Sequence, residues 1–288
     1  MKEKLKILSE LTKIRITAFV TLTTVFGYLC YAKDFSVNMF TTVVGILFLA
    51  CGSAVINHIQ EHKTDALMER TKNRPIPSNK ISVKDASIIS LLLILVGSVL
   101  LSFNGIIPLC LGLLNLFWYN VVYTPLKKIS PIAIIPGSLV GAIPPAVGWT
   151  SAGGSITDPQ ILVISFFFFI WQIPHFWLLL LVLGKDYEKA GFPTLTQVFD
   201  TKQLSRITFV WIIATVVASL LIPLFGIVKN PGIYLALLAA GLWLTWKASK
   251  FLRNENQNMN FSFAFREINI FAILVMVIIS IDQILIIF

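Results

Sequence analysis

The chain has 288 residues, 56% of them hydrophobic and only 13% charged, with Lys+Arg 23 against Asp+Glu 14 for a net charge of +9. A soluble domain carries about a quarter charged residues, so this composition excludes an ordinary soluble fold, and 16 Gly with 13 Pro exclude a collagen-like or linker-like chain. Cys30, Cys51 and Cys110 are odd in number and lie in or beside apolar runs, which reads as small buried side chains and not as a disulfide framework or a metal cluster.

A membrane-crossing helix needs about 20 mainly apolar residues. In chain order the candidates are 16–33, 37–56, 86–103, 106–124, 132–150, 161–183, 207–227, 231–250 and 266–286. The sequence thus predicts an all-α bundle of nine transmembrane helices. It reads as a single membrane domain over 1–288, with the first helix retained and not removed as a signal.

The basic residues orient the bundle. With the N-terminus in the cytoplasm, the leader 1–15 holds Lys2, Lys4, Lys6, Lys13 and Arg15, and the connection 57–85 holds Lys63, Arg70, Lys72, Arg74, Lys80 and Lys84. The same side takes Lys127, Lys128, Lys185, Lys189, Lys202, Arg206, Lys247, Lys250, Arg253 and Arg266, and only Lys33 and Lys229 face the other. That asymmetry is the positive-inside pattern, so the net charge of +9 reads as orientation and not as a nucleic-acid footprint. A channel or carrier would place ionisable groups at mid-membrane. Here His175 is the main such group, Asp282 lies near the outer end of the last helix, and the charge goes to two cytoplasmic connections, about 57–85 and 184–206.

The first connection continues the second span with no breaker before Pro75. Asn57, Glu61, Asp65 and Glu69 recur every four residues, and each step turns about 40° on a helix, so the four stack on one face. Acidic groups so placed repel one another unless a cation lies among them. Hard oxygen donors suit Mg²⁺ held together with substrate phosphates, and the bases Arg70, Lys72 and Arg74 that follow suit a diphosphate. The plainer alternative is a solvated helix end with charge pairs at i,i+4. Against it, Asn57 and Glu61 lie within a turn or so of an apolar span, where a polar group needs a partner. His58-x-x-Glu61-His62 also fits the H-x-x-E-H pattern of inverted zinc peptidases. Nothing marks a third ligand, whether His175, Asp186 or Glu188.

Further along, Tyr123-Thr124-Pro125-Leu126-Lys127-Lys128 makes a second cationic corner and Lys13-Ile14-Arg15 a third. Trp171-Gln-Ile-Pro174-His175-Phe176-Trp177 follows the aromatic run Phe166–Phe169, which reads as lipid-facing or core packing. Pro174 is expected to kink its helix. His175 beside it reads either as a buried histidine bonded to a neighbouring helix or as a group that touches an acceptor, coordinates a metal centre or moves a proton. Lys185-Asp186-Tyr187-Glu188-Lys189-Ala190-Gly191-Phe192-Pro193 is read as a charged loop facing the first one.

These segments together resemble the UbiA-type intramembrane prenyltransferases, and most closely their protohaem IX farnesyltransferase (haem O synthase) branch. The family's N-x-x-x-D-x-x-x-D is matched by Asn57, Glu61 and Asp65, followed by Met68-Glu69-Arg70-Thr71-x-x-Arg74-Pro75. Tyr123–Lys128, Trp171-x-x-Pro174-His175-Phe176 and Asp186-Tyr187-x-x-Ala190-Gly191-x-Pro193 look like that branch, in the right order over nearly the whole chain. Glu61 replaces the middle aspartate, which keeps oxygen ligation and moves the carboxylate one methylene outward. Lys63 stands at a position often acidic in the branch, and Ala190 stands where the wider family repeats an acid.

The resemblance implies a UbiA-like fold and Mg²⁺, with Mn²⁺ as a substitute, held by Asn57, Glu61, Asp65 and Asp186 on farnesyl diphosphate. It implies Arg70, Arg74, Lys127 and Lys128 around the leaving group, and Arg15, Tyr123, His175, Lys185 and Tyr187 on the substrates. Haem B would be substrate, not permanent cofactor, and its vinyl group would take the farnesyl chain. The expected setting is a bacterial inner membrane with the site facing the cytoplasm, lipid as partner, no nucleic acid, and association with a haem A synthase or terminal oxidase assembly. The rivals are a prenyltransferase acting on a quinone precursor such as 4-hydroxybenzoate, a transporter with a metal-gated mouth, and the zinc peptidase.

Overall fold

The computed structural model describes residues 2–32, 34–253 and 261–285. Lys33, residues 254–260 and the last residue of the ninth predicted span lie outside them. Every regular element among the described residues is helical. They are α1 (Lys2–Leu11), α2 (Ile14–Ala32), α3 (Val37–Asp65), α4 (Val83–Ser102), α5 (Ile106–Phe117), α6 (Thr124–Leu126), α7 (Ile134–Gly137), α8 (Leu139–Ser151), α9 (Pro159–Lys189), α10 (Thr201–Leu221), α11 (Pro231–Arg253) and α12 (Phe261–Leu285). A π-helical turn, Trp118–Tyr123, joins α5 to α6.

Among the described residues, eight helical stretches are long and apolar enough to cross a membrane. The remaining predicted stretch, 231–250, is present as the helix α11, which packs against both α10 and α12. Its tryptophans and lysines dilute its apolar content, so it falls outside the eight. Large apolar side chains face outward as they must against lipid: Leu91, Leu92, Leu95 and Val99 on α4 are all more than half exposed. The inner core gathers Phe167, Phe168, Ile164, Ile212 and Phe271. The run Phe166–Phe169 therefore serves both readings, with Phe167 and Phe168 buried and Phe166 outward.

Between helices, small residues let backbones approach closely. A Cβ on Gly97 of α4 would lie 2.7 Å from the Gly45 carbonyl oxygen and 2.8 Å from the Leu49 nitrogen of α3, so only glycine allows that crossing. Two smaller clusters hold the polar end in place. Leu11, Val55, Ile76 and Ala86 pin the α1–α2 break and the 66–82 connection against α3. Ile134, Ile173, Trp177, Leu195 and Leu204 pin the connection after α9.

Two helices run further than the hydropathy pattern predicts. α3 extends nine residues past 56 and carries the ladder, because nothing in 57–65 interrupts a helix. It then stops at Asp65, well before Pro75, and a chain of turns follows. α9 runs through Pro174 to Lys189 as one helix, so Lys185, Asp186, Tyr187 and Glu188 are helical and not part of a loop beginning at 184. The first true breaker there is Gly191, with φ of +77°.

Candidate active site

The ladder sits where α3 leaves the apolar bundle. Asn57, Glu61 and Asp65 are 0%, 6% and 1% exposed, so the solvated-helix alternative fails for all three. Each is met by one base. Lys13 Nζ donates to Asn57 Oδ1 at 2.5 Å, Lys127 Nζ lies 2.7 Å from Glu61 Oε1, and Arg74 Nη1 donates to Asp65 Oδ2 at 2.7 Å. Three oxygen donors on one helix face are thus opposed by three cations from three separate connections.

Local structure explains each base. Lys13 occupies the break between α1 and α2 with φ of +49°, a left-handed conformation costly for a side chain with a Cβ, and Leu11 anchors that break in the core. Arg74 is fixed because Thr71 donates to the Asp65 carbonyl at 2.8 Å and Ile76 is buried. Lys127 follows the π-helical turn, a feature frequent at functional sites. That turn also aims Thr124, which accepts from Asn57 Nδ2 at 3.1 Å while donating to the Tyr119 carbonyl. Asn120 from the same turn donates to Ser53 Oγ at 2.6 Å and takes Gln60 on its carbonyl.

The electrostatics follow from this crowding. Burial first, then the neighbouring Arg74 and Lys127, lower the Lys13 ammonium to a pKa of about 7. Burial also works against charge on Lys127. The Glu61 carboxylate outweighs it, and the pKa of Lys127 is raised above the ordinary lysine value. Glu69, expected as the fourth rung, lies beyond the end of α3. It is exposed and pairs with Lys72 at 2.6 Å, which lowers its pKa.

Below the charges lies an aromatic wall. Lys127 Nζ is 5.6 Å from the centre of the Tyr123 ring. Tyr123 stacks on Phe176 at 5.4 Å with only 10° between the planes, and Phe176 meets His175 edge-on at 5.6 Å. A cavity opens beside Tyr123 and Lys127, lined also by Ile134, Tyr187, Phe192 and Thr194. Tyr187 is therefore brought to the site.

Other expected residues are not. Arg15 and Arg70 are exposed and form no ion pair among the described residues. Lys128 is exposed at the rim, reaching only the Gln60 carbonyl at 3.4 Å, and Lys185 is exposed on α9. Asp186 is half-buried. Among the described residues no three of His, Cys, Asp and Glu lie close enough together to hold a metal ion, so Asp186 does not close a ligand set with Glu61 and Asp65, and His58 and His62 do not form a zinc site. Glu188 instead closes its own turn by accepting from Thr194 at 2.9 Å and Thr196 at 2.8 Å. Sequence reasoning placed Lys13 only in a cationic corner and took Arg15 from it as the substrate-side base, and it gave Thr124 and Asn120 no role of their own. The signal for Lys13 was its position at the helix break, where a side chain can turn inward. Nothing in the sequence marks the π-helical turn.

Known proteins resemble this arrangement. Residues 20–271 match the UbiA prenyltransferase family. The chain is 34% identical over 239 residues to a protoheme IX farnesyltransferase of Oleidesulfovibrio alaskensis, covering 83% of this chain and 84% of that one. It is 37% identical over 190 residues to a protoheme IX farnesyltransferase of Geobacter sulfurreducens, covering 66% and 70%. Among solved structures, a digeranylgeranylglyceryl phosphate synthase superposes with a TM-score of 0.78 at 18% identity, over 98% of this chain and 99% of that one. A UbiA homolog from Archaeoglobus fulgidus bound to GPP and Mg²⁺ superposes with a TM-score of 0.73 at 16% identity, over 96% and 99%.

Proposed function

The chain belongs to the UbiA prenyltransferase family, and from that premise we propose that it transfers the farnesyl group of farnesyl diphosphate to a vinyl group of haem B, giving haem O and diphosphate. The observation that carries the reading is the buried oxygen ladder of α3 faced by Lys13, Lys127 and Arg74 at the mouth of an apolar bundle. Relatives over most of the chain, named protoheme IX farnesyltransferase, favour haem as acceptor over a quinone precursor.

Asn57, Glu61 and Asp65 supply hard, buried oxygen donors of the kind a small divalent cation takes. They would hold Mg²⁺, with Mn²⁺ as substitute, and Asp186 would join them by a movement of the α9 end. The ion supplies charge neutralisation at the diphosphate. Lys13, Lys127 and Arg74 are placed to pass to phosphate oxygens, where they stabilise the negative charge that grows as the allylic C–O bond lengthens. Arg70, Lys128, Lys185 and Arg15 at the rim draw the anionic substrate in. The farnesyl chain lies among the apolar helices, and the wall from Tyr123 through Phe176 to His175 receives the flat acceptor.

The terminal vinyl carbon then bonds to the farnesyl C1 as diphosphate departs. Water adds to the resulting cation on the inner vinyl carbon and loses a proton, leaving a hydroxyethylfarnesyl group. Apolar packing keeps water from the allylic carbon before that bond forms.

The protein is an integral multi-pass membrane protein. The proposal places it in a bacterial inner membrane with nine crossings, its N-terminus and site on the cytoplasmic side, as one functional domain. It would hand its product to a haem A synthase or terminal oxidase assembly. Purified protein incubated with haem B, farnesyl diphosphate and Mg²⁺ should yield a more hydrophobic haem on chromatography, and only with Mg²⁺. Unchanged haem alongside a prenylated 4-hydroxybenzoate would sink the reading.

A further inference from the structure

The chain has three histidines, and the structure treats them differently. His58 is fully buried inside the helix packing. His62 turns Nδ1 to the Ile59 carbonyl of its own helix at 2.7 Å. His175 is half-buried and ringed by Trp171, Phe265 and Phe176, with centroids at 4.7, 5.0 and 5.6 Å. Its Nδ1 lies 2.7 Å from Asn269 Oδ1 on α12.

Asn269 fixes which nitrogen of His175 carries the proton. Its Nδ2 donates to the Phe265 carbonyl at 2.6 Å, so the amide oxygen is the atom facing the imidazole. An amide oxygen only accepts, and Nδ1 must therefore donate. The neutral ring then carries its lone pair on Nε2, which makes no hydrogen bond among the described residues. The hydrogen bond by which His175 ties α9 to α12 is also the bond that sets its tautomer. A histidine whose Nδ1–H is held by an oxygen, with Nε2 free, is the arrangement of a metal ligand.

The location suits an acceptor that carries its own metal. The path from Lys127 over Tyr123 and Phe176 reaches His175 directly beneath the cationic mouth. Its flat rings offer stacking surface to a flat macrocycle. We propose that His175 binds the iron of the acceptor porphyrin through Nε2, and that Asn269 is the positioning residue that keeps the lone pair there. This rests on haem being the acceptor. It adds that the iron, and not only the ring, is recognised, which fixes the macrocycle's rotation and so which vinyl group meets the allylic carbon.

The test titrates full-length protein in detergent with haem and, separately, with metal-free protoporphyrin IX, reading affinity and the Soret band. His175→Gly should weaken haem binding about tenfold or more, lose the nitrogen-ligand spectrum, and bind protoporphyrin as the unsubstituted protein does. Added imidazole should restore the spectrum, which guards against a merely misfolded variant. Asn269→Leu should weaken haem binding about tenfold with protoporphyrin unaffected, and Asn269→Asp should raise the low-spin fraction. A His175→Gly protein that still binds haem with an unchanged Soret band would overturn the assignment without bearing on the farnesyl-transfer reading. Equal losses for haem and protoporphyrin would overturn it too, by showing a packing role. Unsubstituted protein that transfers farnesyl only to a non-haem acceptor would instead overturn the reading beneath it.

Discussion

Two ends of the bundle each bury aspartate, and they use it differently. At the far end Asp282 of α12 is 2% exposed and accepts from the backbone nitrogens of Lys229 and Asn230 at 2.9 and 3.1 Å. It holds the turn that leads into α11, and its partners are neutral amides that cannot leave. At the mouth Asp65 is 1% exposed and faces a guanidinium, with Glu61 and its lysine one turn away. Those partners are charged side-chain ends, which can exchange a carboxylate for a phosphate. A buried acid tied to backbone amides is structural, whereas stacked acids tied to side-chain bases suit a charged ligand.

The contrast can be broken at four points. Asp65→Asn should cut farnesyl transfer by about 10³-fold or more, since it removes both a metal donor and the partner of Arg74; near-normal turnover at saturating Mg²⁺ would refute the ladder as the metal site. Lys127→Gln should lower kcat/KM by about 10²-fold. It should also destabilise the protein by about 3 kcal/mol, because Glu61 is left buried without its cation, and thermal unfolding in detergent reads that loss. Asp282→Asn should do the reverse, costing about 1–2 kcal/mol of stability through weakened hydrogen bonds to the turn before α11 while kcat stays within about twofold, as expected of a site remote from the chemistry. A large fall in kcat there would erase the distinction between the two ends. Glu188→Gln should matter least, with kcat/KM within about threefold of the parent, because exposed charges contribute little.

Glu188 also shows why the second charged segment misleads. In sequence, Lys185–Lys189 looks like the first connection's counterpart, with acids and bases interleaved. In the structure its acids point to a turn and to a half-exposed edge, and only Tyr187 lines the cavity. Composition counts charges without saying which face of α9 they occupy. The ladder was legible because spacing by four is itself a statement about one helix face. Which base meets which oxygen was not, since Lys13 and Lys127 lie 44 and 66 residues from the oxygens they meet, and only packing brings them together.

By itself the sequence determined the solvent, the helical class and the end at which charge gathers. Runs of about 20 apolar residues admit little else in lipid, and the bases are distributed one-sidedly. It also determined the ladder, and by resemblance the family. The tertiary structure decided which base answers which oxygen, that Lys13 and not Arg15 turns inward, and that Asp186 stands apart from Glu61 and Asp65. It also decided the proton on His175. These depend on a π-helical turn, a left-handed lysine and an asparagine 94 residues distant. No local propensity encodes such contacts, because they are settled by how buried polar groups find partners once the helices have packed.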